Sequence, residues 1–232
     1  MVYTIAMAGK RSYDDGCASA HALDIIGERW GLLIARELML GPKRFTDLRT
    51  GLPGISPNVL TQRLEELEQA SVLRRRKLPP PAGAWVYELT DWGLGLEPVL
   101  MALGRWAVRS PTLPQGAPLS VDALILSFRT MFDPDAAEGF TAILELRLGE
   151  NTFHADIADG LIELARGSAH RPDAIIEADS DTLAALVYGG GKLGEAVRAG
   201  NLKIEGDKSV VKRFLTLFPM PKPAPAETVV SS

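Results

Sequence analysis

The feature that most constrains this chain is a change of hydrophobic period across a short proline-rich segment. Upstream of SPTLPQGAPLS (residues 110–120), apolar residues recur every three or four positions, as in Ala22, Ile25, Ile26, Trp30, Leu33 and Ile34. Downstream they recur at every second position, as in Leu144, Leu146 and Leu148, or Phe153, Ala155 and Ile157. A helical stripe and a strand face need different packing partners, so two bodies are expected, joined where three prolines and a glycine interrupt both patterns. At 232 residues the chain has room for them. The expected division is an N-terminal arm (1–16), a mainly helical domain (17–109), a linker (110–119), a mixed α/β domain (120–218) and a Pro- and Ala-rich disordered tail (219–232).

Charge divides at the same place. Residues 1–110 are net +2 and residues 111–232 net −6, giving −4 overall. The positive excess is local: residues 41–80 hold eight basic and four acidic side chains. Whole-chain charge therefore does not point to a polyanion partner, whereas this patch does. Cys17 is the one cysteine, which excludes an intrachain disulfide. No apolar run approaches the roughly 20 residues of a membrane span, and the first residues lack the pattern of a signal peptide. A cytoplasmic protein that does not enter membranes is expected.

In the first domain Gly27 separates two helices, GPKRF is a stop and turn, and Thr46 is the expected cap of a short helix. Ser56 followed by Pro57 is a strong helix start. SVLRRRKL and AWVYELT read as strands around a PPPAG turn, and a last helix after Thr90 carries Leu96, Val99, Leu100, Leu103 and Trp106 on one side. This is the element order of a winged helix-turn-helix. On the Ser56-capped helix, Leu60, Leu64 and Leu67 form the core stripe and leave Asn58, Thr61 and Gln62 outside it in the first turns. Short hydroxyl and amide side chains can read base edges, and a helix N-terminus favours phosphate. Glu65, Glu66 and Glu68 lie farther along, so double-stranded DNA would be approached N-terminus first, with the basic run beyond reaching phosphates.

The stretch from Cys17, Gly27 and Trp30 through REL, GPKRF, LPGISPNVLTQRLEELE and YELT closely resembles the HxlR family of bacterial winged-helix regulators over residues ~11–109. The resemblance implies a homodimer on a pseudo-palindromic operator, with the first and last helices of the domain packing between subunits. Carried over by position, the DNA-facing set is Ser56, Asn58, Thr61, Gln62 and Arg63, with Arg44 near the turn and Arg75, Arg76 and Lys77 on the wing. The uncharged wing tip speaks against deep minor-groove insertion. Cys17 is open to two readings. A thiol at a helix N-terminus can be a reactive sensor. Alternatively it is a small buried hydrophobe at a dimer interface, which Asp14 and Asp15 favour because they oppose a thiolate.

The second domain is expected to start with a Ser120-capped helix, continue through four strands and an Asp179- or Ser180-capped helix, and close with strand LKIEGD and a final helix. ADSDTLAALVYGGGKLGEAVRAGNLKIEGDKSVVKRFLTLF makes residues ~118–218 similar to the sterol carrier protein type two domains. That resemblance implies an α+β chain whose C-terminal domain encloses an apolar tunnel for acyl or sterol-like small molecules. The tunnel wall would come from helical Leu124, Phe128 and Phe132 and from strand residues Leu146 and Phe153. Leu183, Leu186 and Val187 would add to it, with Phe214 and Leu217 closing it. The same residues would equally serve as a filled core.

GGGK (189–192) lacks the rest of a phosphate loop. His21, His154 and His170 show no metal-ligand spacing, no cofactor or metal is expected, and no catalytic constellation is legible. His154 reads as a solvated surface residue. Two classes remain: a DNA-binding regulator whose second domain receives an apolar effector, and a lipid carrier whose winged domain chiefly dimerises. An enzyme is not expected.

Overall fold

The computed structural model describes residues 12–114 and 116–225. The expected arm (1–16), linker and tail (219–232) therefore fall partly outside the described residues. The chain is a mixed α/β protein that divides into two compact units. The first comprises residues up to Leu38 together with Pro42–Leu94, and the second Met39–Gly41 together with the residues from Gly95 onward.

In the first unit, helices α1 (Ala18–Ile26), α2 (Gly31–Leu38), α3 (Phe45–Gly51) and α4 (Pro57–Gln69) precede strands β1 (Leu73–Lys77) and β2 (Trp85–Leu89) and a short α5 (Asp91–Leu94). Its core is Ile26, Ile34, Leu38, Leu48, Leu60, Leu64, Leu67, Leu73 and Val86. The expected buried face of the first two helices is only partly buried: Ile26 and Ile34 are, whereas Ala22 and Leu33 are exposed. Helix α3 starts one residue before Thr46. Asp47, inside the helix, accepts the Arg44 backbone N–H at 3.0 Å, which satisfies a free donor from the opposite side to the expected cap. Strands β1 and β2 form an antiparallel hairpin.

Lys43 extends this hairpin. Its N–H donates to the Tyr87 carbonyl at 3.0 Å and its carbonyl accepts from the Tyr87 N–H at 2.8 Å. Its ammonium lies 2.7 Å from Glu37, which is fully buried and also takes a hydrogen bond from Arg36. A buried carboxylate must be paired, and Glu37 has two cations. Gly51 packs so close that a β-carbon there would lie 2.3 Å from Glu37 Oε2. REL, GPKRF and the glycine of RTGL are thus one assembly that fastens the wing to the turn before α3.

The second unit holds α6 (Glu97–Ala107), α7 (Val121–Met131), β3 (Ala142–Leu148), β4 (Asn151–Ala158), β5 (Leu161–Arg166), β6 (Ala174–Ala178), α8 (Ser180–Tyr188), α9 (Leu193–Arg198), β7 (Leu202–Gly206) and α10 (Lys208–Phe214). Its sheet has the order β5-β4-β3-β6-β7, with β3 and β6 parallel and the other pairs antiparallel. Ser120 and Asp179 cap α7 and α8. The compact division falls at Leu94/Gly95, well before the proline-rich segment, and α6 packs on α7 through Arg105, whose Nε donates to the Thr130 carbonyl at 2.7 Å. The early part of the expected disordered tail runs beside the end of α6: Ala224 N–H donates to the Arg109 carbonyl at 2.7 Å.

Candidate nucleic-acid interface

The amino-terminal end of α4 is built locally. Ser56 Oγ accepts the Val59 N–H at 3.3 Å, Pro57 opens the helix, and Leu60, Leu64 and Leu67 bury the opposite stripe. Asn58, Thr61 and Gln62 are left exposed. Gln62 Nε2 donates to Glu66 Oε1 at 2.9 Å, which orients the amide along the helix. Arg63 does not join this set. Its side chain is only 15% exposed and pairs with both Glu28 and Glu66, so it ties α4 to the residues after α1. Periodicity could have signalled this, because Arg63 sits beside the Leu60–Leu64–Leu67 stripe. Arg44 is exposed at the start of α3.

The wing sorts its cations by face. Arg74 and Arg76 share Glu88, at 2.7 and 2.6 Å. Burial works against the Glu88 charge, but hydrogen bonds from Arg76 and Arg74 outweigh it and hold this carboxyl below its ordinary value. Arg75 and Lys77 lie on the other face, opposite Tyr87 and Trp85 in the antiparallel register. The Arg75 guanidinium stacks on Trp85 at 4.5 Å from the ring centroid and lies 5.9 Å from that of Tyr87. Its backbone N–H donates to Glu68 Oε1 at 2.9 Å, linking the wing to the end of α4. Trp85 is half exposed, and the sequence reading did not single it out. The signal was available, since Trp85 pairs with Lys77 once the hairpin tip is fixed.

Cys17 is exposed and occupies the N-cap position of α1, so within this chain it is not a buried apolar filler. Asp15, expected to oppose a thiolate, accepts the Cys17 backbone N–H at 2.9 Å. The backbone N–H groups of Ser19 and Ala20 lower the thiol pKa from its ordinary value.

In the second unit the expected tunnel residues come together as packed core. Leu124, Phe128, Leu146, Phe153, Leu183, Phe214 and Leu217 have no measurable exposure, Leu186 is 8% exposed, and Phe132 and Val187 are half-buried. Phe128 stacks on Phe218 at 4.7 Å and meets Phe214 edge-on at 5.6 Å. An acyl chain among them would have to part these rings. Tyr188, hydrogen-bonded to Ser127, closes the same layer, and burial pushes its phenol up to about 12. None of the ten residues lines the cleft of about 560 Å³ that opens between α6, Arg129 and β5. His154, expected on the solvated surface, is one of its lining residues and is only half exposed.

Two family models match the chain: HxlR-like helix-turn-helix over residues 25–112, and alkyl sulfatase C-terminal over residues 117–224. The first runs through α6. The chain is 40% identical over 86 residues to the uncharacterized HTH-type transcriptional regulator YvaP of Bacillus subtilis, covering 37% of this chain and 80% of that one. It is equally identical, over the same length, to the HTH-type transcriptional regulator YodB of that organism, covering 77% of it. The solved structure of reduced YodB covers 43% of this chain and 98% of its own, at 35% identity and a TM-score of 0.39. Among the described residues no helix is long and apolar enough to cross a membrane.

Proposed function

Because the chain belongs to the HxlR-like helix-turn-helix family, we propose that it is a homodimeric bacterial transcription regulator that binds a pseudo-palindromic operator in double-stranded DNA. The observation that carries this reading is the pairing, on one small unit, of an exposed helix N-terminus with a wing face of unneutralised cations. Asn58, Thr61 and Gln62 read base edges from the first two turns of α4. Arg44 and Ser56 hold the flanking backbone. On the wing Arg75 and Lys77 contact phosphates, and Arg74 and Arg76 contribute less because Glu88 offsets them. Arg63 acts through position, by fixing α4.

Dimerisation is supported by apolar side chains that one chain leaves uncovered. Val99, Leu103 and Trp106 are exposed on α6, which buries no residue among those described, and Leu23 is exposed on α1. The relatives' names are those of transcription regulators, which supports a non-enzymatic role. The second unit, in our reading, is a sterol-carrier-like receptor for an apolar small molecule, and its element order supports this. A thiol-sensor role for Cys17 has one observation in its favour: the exposed thiol faces helix N–H groups that favour its thiolate.

The test is binding to a duplex that the protein itself selects from random-sequence DNA. Specific binding that weakens steeply with salt supports the reading. Equal affinity for selected and scrambled duplexes at every salt concentration contradicts it, and leaves dimerisation as the role of the first unit.

A further inference from the structure

The cleft at the start of α6 has walls of opposite kinds. Pro98 and Met101 of α6 and Ile162, Leu164 and Ala165 of β5 supply apolar surface, while Glu97, Arg129, His154 and Glu163 supply polar groups. At about 560 Å³ it is of the size that takes a small ligand. The charges are not balanced in effect. Arg129 is spoken for, since it pairs with Glu97 and donates to the Leu164 carbonyl. Glu163 has no such partner in the cleft. Directly across the antiparallel ladder from it stands Asp156, another carboxylate. Like charges facing each other on neighbouring strands are destabilising. Moreover, Asp156 Oδ1 is buried and has no hydrogen-bond partner among the described residues. Its charge is therefore poorly answered within the fold, and a cation beside Glu163 would offset the repulsion between the two carboxylates.

We propose that this cleft takes a cationic amphiphile, with an ammonium-type head beside Glu163, across the ladder from Asp156, and an alkyl chain along Met101, Pro98 and Ile162. The proposal rests on the reading of the second unit as a receptor and deepens it by naming the head-group charge and the site. A carboxylate or sulfate head is disfavoured there, because the one guanidinium in the cleft is already neutralised. Three lining residues belong to α6, and α6 lies inside the stretch that the HxlR-like model matches. Ligand bound here therefore touches a helix that belongs by sequence to the regulator half.

The experiment uses the full chain and calorimetric titration with dodecylammonium and with dodecyl sulfate, both below their micellar thresholds. The ammonium probe is expected to bind at least about tenfold more tightly, the effect of one charge-assisted contact. Glu163 is exposed and faces Asp156, so Glu163→Gln should not lower the urea midpoint. It should weaken the ammonium probe about tenfold without affecting the sulfate. Met101→Trp, which fills the cleft, should weaken both. Equal binding of the two probes, or ammonium binding indifferent to Glu163→Gln and Met101→Trp, overturns the site. Affinity for the selected duplex, measured with and without the ammonium probe, separates this from the wider reading. Variant-sensitive binding with unchanged DNA affinity keeps the site and removes the regulatory role. A DNA response to the probe that ignores both variants keeps regulation and removes this site.

Discussion

The two units treat a ring-held guanidinium differently. In the second, Arg166 lies over the Phe153 ring, 4.5 Å from its centroid, and also meets a carboxylate, Asp122. In the first, Lys43, Arg63, Arg74 and Arg76 are likewise paired, yet Arg75 is held by aromatic rings and Lys77 stands exposed opposite Trp85. An ion pair fixes a guanidinium and cancels its field, whereas a ring fixes it and leaves the charge available to a phosphate. The difference teaches that a run of cations is a poor measure of a nucleic-acid surface. What matters is which of them has no carboxylate to answer.

The largest effect should come from the assembly that holds the wing. Glu37→Ala breaks the buried pair with Lys43 and should cost the first unit about 3–5 kcal/mol in urea unfolding. A loss under about 1 kcal/mol would mean that the pair is not what fastens the hairpin. Next, Trp85→Ala should lower affinity for the selected duplex by several-fold, while Trp85→Phe keeps most of it, since a cation–π contact is worth about 0.5–2 kcal/mol. Equal losses in the two variants would remove the ring from the account. Glu88→Gln should then raise affinity modestly at low salt by releasing Arg74 and Arg76, with the gain fading as salt rises. The smallest effect concerns pH. The folded Glu88 carboxyl lies below its ordinary value of 4.5, so its contribution is present above that value and lost as pH falls through the lowered one. Carboxyl chemical shifts followed through acid titration should show Glu88 protonating below the ordinary glutamate value of 4.5.

Much of this was legible because local chemistry decides it. The Ser56–Pro57 start, the alternation in TFHADIADG and the turn at PPPAG each specify an element without tertiary help. Partners separated in sequence were not legible. Periodicity places Arg63 beside the buried stripe of α4, but nothing near it names its partner Glu28, 35 positions away. Likewise the wing's sorting depends on Glu88, which enters only when register is known. At Cys17 the neighbouring Asp14 and Asp15 were legible, whereas the backbone N–H groups of Ser19 and Ala20, which lower the thiol pKa, carry no side-chain signal. Volume is the hardest quantity to read: Phe128, Phe214 and Phe218 have one pattern whether they line a tunnel or fill it. The cleft by contrast draws on α6, which the expected division placed with the other domain.

The most direct test compares Arg75→Ala with Arg63→Ala in binding to the selected duplex across a range of salt. If charge left unanswered makes the interface, Arg75→Ala reduces the slope of log affinity against log salt by about 0.9, one phosphate contact, and Arg63→Ala leaves the slope unchanged. An unchanged slope for Arg75→Ala, with the reduction appearing in Arg63→Ala, would contradict it.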